Sequence, residues 1–147
     1  MDGKEEQELN MWKKSVASMK KYLRSETQGN MVYLAELNDD YKILQAGELV
    51  CFMPGNLLLG ARYLNDSELA IFAAELMKAC YDTWALSPTG LAPETWSWID
   101  KSQNVTNYPQ VMQIAMQTTG YLARDVSYDL RPGKMFFFCK DLYSLFN

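Results

Sequence analysis

Apolar positions along this chain recur mostly on a helical period, interrupted once by a short alternating stretch. Leu9, Trp12, Val16, Met19 and Leu23 are spaced by 3, 4, 3 and 4, which lays one stripe along a helix over residues 5–24. Lys13, Lys14, Lys20 and Lys21 fall mostly off that stripe, and acids at its start with Lys and Arg24 at its end complement the helix dipole. Residues 25–30 form a polar turn containing Gly29. Residues 31–37, Met-Val-Tyr-Leu-Ala-Glu-Leu, are partly β-branched and aromatic and end in Asn38-Asp39-Asp40. They predict a strand and a turn, with 41–44 as the return strand.

Pro54 then sits where a helix starts, since the first helical position tolerates proline. The helix continues through residues 55–63, with Gly60 and Ala61 small enough for close packing. Asn65 or Asp66 caps a second helix, with acid in its first turn. Leu69, Phe72, Ala73, Leu76, Cys80 and Trp84 mark one face of it as far as Ala85, and Ser87-Pro88 and Gly90 end it. A helical hairpin therefore feeds the loop that follows. Residues 100–109 read as a polar loop and 110–117 as a short helix running into Gly120 and residues 121–131. No internal repeat or low-complexity linker marks a domain boundary. The pattern predicts an all-α assembly with one short β-hairpin.

Composition narrows the function classes. The chain has 147 residues, 48% apolar and 22% charged, enough for one domain with a real core. A net charge of −4 leaves no basic footprint for nucleic acid. No apolar run reaches the length of a transmembrane helix, and Met1-Asp2-Gly3-Lys4-Glu5-Glu6 is too acidic for a secretory signal or anchor. Histidine is absent, which removes Ser–His and Cys–His triads and His-ligated metals.

The candidate chemistry centres on Gly90-Leu91-Ala92-Pro93-Glu94-Thr95-Trp96, a Gly/Pro-marked loop that sets one carboxylate among aromatic residues. Alone, Glu94 reads more readily as a solvated loop carboxylate. It is preceded by Tyr33-Leu34-Ala35-Glu36-Leu37, by Leu49-Val50-Cys51-Phe52-Met53-Pro54-Gly55 and by Cys80-Tyr81, and followed by Leu130-Arg131-Pro132. In this order the motifs resemble the class I α-1,2-mannosidases, glycoside hydrolase family 47, over nearly the whole chain to Pro132. The resemblance implies a partial (α/α)7 barrel made of helical hairpins, with residues 1–132 as part of the catalytic domain and 133–147 as a divergent tail. It also implies calcium-dependent, inverting hydrolysis of terminal α-1,2-mannose on N-linked high-mannose glycans, in the lumen of the endoplasmic reticulum or Golgi. Such hydrolysis needs one carboxylic acid for the leaving oxygen and a separate carboxylate to activate water.

On that resemblance Glu94 is an acid near the cavity mouth, and Arg131 orients the catalytic carboxylate and the substrate. Trp96 and Trp98 are either sugar platforms or packing beneath the loop. Cys51 and Cys80 fall where the family carries a disulfide, which would tie the hairpin together. The alternative is three reduced thiols, since Cys139 lies outside the match. Two sequons, Asn65-Asp66-Ser67 and Asn104-Val105-Thr106, are compatible with a lumenal setting.

The departures from the family pattern are as informative. Glu48 stands where the family has histidine, Gly133 where it has the glutamate of Leu-Arg-Pro-Glu, and Phe136 where it has that motif's second acid. The helices that supply the general acid come earlier in the family, and the calcium-binding threonine comes later. Glycine cannot activate water, so by its own residues this chain is expected to be inactive, and its partners include the missing remainder of the barrel. Residues 133–147 read either as translated intron or as a short helix marked by Met135, Phe138, Leu142 and Leu145. Two other readings remain at this stage: a non-catalytic module that binds mannose glycans or misfolded glycoproteins, and a helical interaction protein. A barrel piece would expose apolar surface at its cut edges, so association is expected.

Overall fold

The computed structural model describes residues 6–87 and 92–124. Four helices carry it: α1 Glu6–Tyr22, α2 Met53–Leu64, α3 Ser67–Ala85 and α4 Gln110–Thr118. All five residues of the apolar stripe on and just past α1 are buried or half-buried, so its inner face is the one the spacing marks. At the α2–α3 turn the two cap candidates divide the work. Asn65 closes α2 in the left-handed conformation, at φ 54°, and Asp66 caps α3 by accepting from the Leu69 amide at 2.9 Å.

Gly60 lets α1 lie against α2. A Cβ there would sit 2.1 Å from the Trp12 ring, while the Trp12 indole donates to Asn56 Oδ1 at 2.9 Å. Val16 meets Leu57, Ala61, Leu69, Phe72, Ala73 and Leu76 in one apolar cluster beneath this contact.

The strands depart from the expected single hairpin. Among the described residues there are seven of three residues each: β1 Arg24–Glu26, β2 Val32–Leu34, β3 Glu36–Asn38, β4 Tyr41–Ile43, β5 Gln45–Gly47, β6 Thr95–Ser97 and β7 Leu122–Arg124. The expected hairpin exists as β3–β4, but the stretch 31–37 is split between two sheets. Its first half, β2, turns back on β1 with Ser25 opposite Tyr33, because Val32, Tyr33 and Leu34 are all buried. Its second half is exposed throughout and projects with β4 into solvent, turning at Asp39 with φ 52°.

The third sheet has the order β5-β6-β7, antiparallel, with Ala46 opposite Trp96 and Trp96 opposite Ala123. It gathers the second cluster, in which Tyr33, Met77, Trp84, Trp96, Trp98, Ile99, Met116 and Tyr121 pack together. The expected polar loop 100–109 contains one 3-10 turn, Val105–Asn107. The helices dominate, and the strands serve to pin the connecting loops across the end of the α2–α3 hairpin.

Candidate functional site

Glu94 stands immediately before β6, and its position is set by the main chain. Gly47 pairs with Thr95 across β5 and β6, and the Glu48 amide donates to the Glu94 carbonyl at 2.9 Å. A Cβ at position 47 would sit 3.6 Å from that carbonyl, an ordinary van der Waals contact. Glu48 is 5% exposed and opens a 3-10 turn, Glu48–Phe52, that runs into α2. Glu94 is half-buried. Two carboxylate-bearing residues are thereby held on adjoining segments, one on each side of the β5–β6 pairing.

Below this lies a rigid aromatic floor. Trp96 is fully buried and Trp98 is 2% exposed, so both are packing and neither offers a face to a ligand. Tyr33 lies between them, with ring centroids 5.9 Å from Trp96 and 4.7 Å from Trp98. Burial pushes the Tyr33 phenol well above its usual range, helped by Tyr121 and Asp82 nearby. The Tyr121 hydroxyl, also raised by burial, donates to the Thr83 carbonyl at 2.8 Å. The indole nitrogens of Trp84 and Trp96 are buried and have no hydrogen-bond partner among the described residues.

Trp98 is tied differently. Its indole donates to Ser25 Oγ at 2.8 Å, and the Ser25 hydroxyl donates to Asp100 Oδ2 at 2.5 Å. Burial opposes ionisation of Asp100, but hydrogen bonds from Ser25 and Ser102, with Lys42 nearby, hold its carboxyl below the ordinary value. This relay locks the segment after β6 to β1. Its members lie 73 and 75 positions apart and carry no local signal in the sequence.

Cys51 and Cys80 are joined by a disulfide, with their Cα atoms 5.8 Å apart. The bond ties the 3-10 turn ahead of α2 to α3, where the sequence reading had it joining the two helices of the hairpin. Arg131, Gly133 and Cys139 lie outside the described residues, as does the short helix read over 133–147. Among the described residues, no group of three or more His, Cys, Asp or Glu side chains could hold a metal ion. No described helix is long and apolar enough to cross a membrane.

Comparison with known proteins places this arrangement. The family model "Glycosyl hydrolase family 47" matches residues 1–135. The mannosyl-oligosaccharide α-1,2-mannosidase 1B of Aspergillus oryzae is 31% identical over 123 residues, covering 82% of this chain and 23% of that protein. A mannosyl-oligosaccharide α-1,2-mannosidase of Coccidioides posadasii is 29% identical with the same coverage. The fold is shared with an α-1,2-mannosidase from Trichoderma reesei, at a TM-score of 0.70, 21% identity, and coverage of 78% of this chain and 24% of that one. The chain belongs to glycosyl hydrolase family 47 and spans about a quarter of the length of these relatives.

Proposed function

We propose that this chain is one arc of an (α/α)7 barrel, belonging to an α-1,2-mannosidase that trims terminal mannose from N-linked high-mannose glycans. The setting is the lumen of the endoplasmic reticulum or Golgi, which agrees with the Cys51–Cys80 bridge, since such bonds persist in oxidising compartments. The observation that carries the reading is the placement of Glu94, fixed by the Glu48–Glu94 main-chain bond at the open end of a hairpin stapled by that disulfide. There Glu94 accepts sugar hydroxyls, and Arg131 adds a cationic donor that orients substrate. Calcium belongs to the remainder of the family domain.

In inverting hydrolysis a carboxylate must take a proton from water on the face opposite the leaving group. Position 133 is glycine in this chain and supplies none, so the chain as written holds substrate-facing scaffold without the base.

A chimera tests the reading. Residues 1–132 replace the matching segment of the Aspergillus oryzae relative, whose own sequence resumes afterwards with its acids. Release of mannose from high-mannose oligosaccharide, lost on Glu94→Gln, is the expected result. A folded chimera that releases none, or one indifferent to Glu94→Gln, contradicts it.

A further inference from the structure

We propose that Asn104 is a site of N-linked glycosylation. The triplet Asn104-Val105-Thr106 has the acceptor pattern, with a hydroxyl residue two positions after asparagine. Its carboxamide oxygen accepts twice from Thr106, from the backbone amide at 3.0 Å and from the hydroxyl at 2.8 Å. The amide N–H can only meet the oxygen, so the carboxamide is held one way round and Nδ2 is left as the outward end. Asn104 and Thr106 are exposed, as are 101–103 before them, so a bulky branched substituent meets no packed surface.

The geometry is also local. Asn104 is the cap of the 3-10 turn Val105–Asn107. The Asn107 amide donates back to the Asn104 carbonyl and the Tyr108 amide to that of Val105, each at 3.1 Å. Nothing outside 104–108 is needed, so the acceptor can form in a nascent chain before the tertiary fold. The other triplet, Asn65-Asp66-Ser67, differs. Asn65 closes α2 in the left-handed region, Asp66 is engaged as the cap of α3, and Ser67 is the first residue of that helix. Its acceptor and its hydroxyl belong to different elements.

In the transfer, Nδ2 of Asn104 bonds C1 of the first sugar of a lipid-linked oligosaccharide diphosphate. The C1–O bond to the diphosphate breaks, the lipid diphosphate leaves, and one Nδ2 proton passes to a base of the transferase. The inference rests on the lumenal setting proposed above. The chain would then carry the class of glycan its family acts on, at a site separate from Glu94.

The test is expression of the full chain behind a secretory leader in eukaryotic cells, with digestion by an amidase that removes Asn-linked glycans. The expected result is a downward gel shift on digestion that loses one glycan unit in Asn104→Gln and in Thr106→Ala, and keeps it in Thr106→Ser and Asn65→Gln. Absence of any shift in chains whose Cys51–Cys80 bond has formed overturns the proposal. So does a shift unchanged by Asn104→Gln. Because the leader supplies lumenal entry, a failure here leaves the mannosidase reading to its own chimera test.

Discussion

The Glu48 amide and the Glu94 carbonyl share a 2.9 Å hydrogen bond, joining the turn that opens α2 to the segment that leaves α3. The two ends of the hairpin are thus tied twice, once by this bond with the β5–β6 pairing behind it and once by Cys51–Cys80. The main chain at Glu94 is thereby held against the turn that opens α2.

The disulfide carries a measurable share of stability. It closes a loop with a sequence separation of 29, and the chain-entropy model puts its contribution at about 3–4 kcal/mol. Replacing Cys51 and Cys80 together by alanine is expected to lower the unfolding free energy measured in urea by that margin, with a matching fall in the midpoint. Added reductant should bring the native chain down to the variant and leave the variant unmoved. Coincident curves for the two proteins without reductant would contradict this.

Acid should act through Asp100. Its folded pKa is lowered by the hydrogen bonds from Ser25 and Ser102 against the opposing effect of burial. A depressed carboxylate pKa gives stability that is full above the unfolded value and fades as pH falls through the folded one. The native chain should therefore lose stability below about pH 4 more steeply than Asp100→Asn, as measured by urea unfolding across that range. Parallel profiles would contradict the assignment.

Base should act through Tyr33. Burial raises its folded pKa, so the stability it contributes is complete below the ordinary tyrosine value and is lost as pH rises toward the folded one. Tyr33→Phe is expected to flatten the decline of stability above about pH 10. Ultraviolet titration should show one fewer late-ionising phenol, and an unchanged titration would contradict it.

Gly60 is a steric requirement for α1. Introducing Gly60→Ala displaces the Trp12 ring and its bond to Asn56, and overpacking of this kind costs about 1–3 kcal/mol. Near-ultraviolet circular dichroism should lose the Trp12 signal while Gly60→Ala in a Trp12→Ala background costs little. Equal costs in both backgrounds would contradict the contact.

Association is expected of the isolated chain. Leu59 and Tyr63 on α2, with Phe52 at the end of the 3-10 turn before it, are exposed, Leu59 at 71%, and Ile71 on α3 is 62% exposed. An exposed apolar surface of this kind favours self-contact. Sedimentation should show concentration-dependent oligomers that weaken with Leu59→Lys and Ile71→Lys. A monomer at all concentrations would contradict it.

The helices were legible because each buries a face over several turns, so Leu9 to Leu23 and Leu69 to Trp84 repeat often enough to mark a period. The strands were not. Three residues such as Gln45–Gly47 or Thr95–Ser97 are too few to show alternation, and their partners are fixed by the hairpin that brings them together. The stretch 31–37 looked like one strand because its hydrophobicity is continuous, while the break at Ala35 comes from its amide bonding back to Leu23 at 2.9 Å. Residue types alone left Cys51 and Cys80 as thiols or a bridge, and family resemblance supplied the pairing. Trp96 and Trp98 could be platforms or packing until their burial was seen. Ser25 could not be connected to Trp98 by any local rule.

On the function proposed above, position 133, a glycine, offers no carboxylate to activate water. Its most direct measurement is mannose release from high-mannose oligosaccharide by the purified 147-residue chain in the presence of calcium. No release above the enzyme-free control is expected, and steady turnover that scales with protein concentration would overturn the proposed loss of the base.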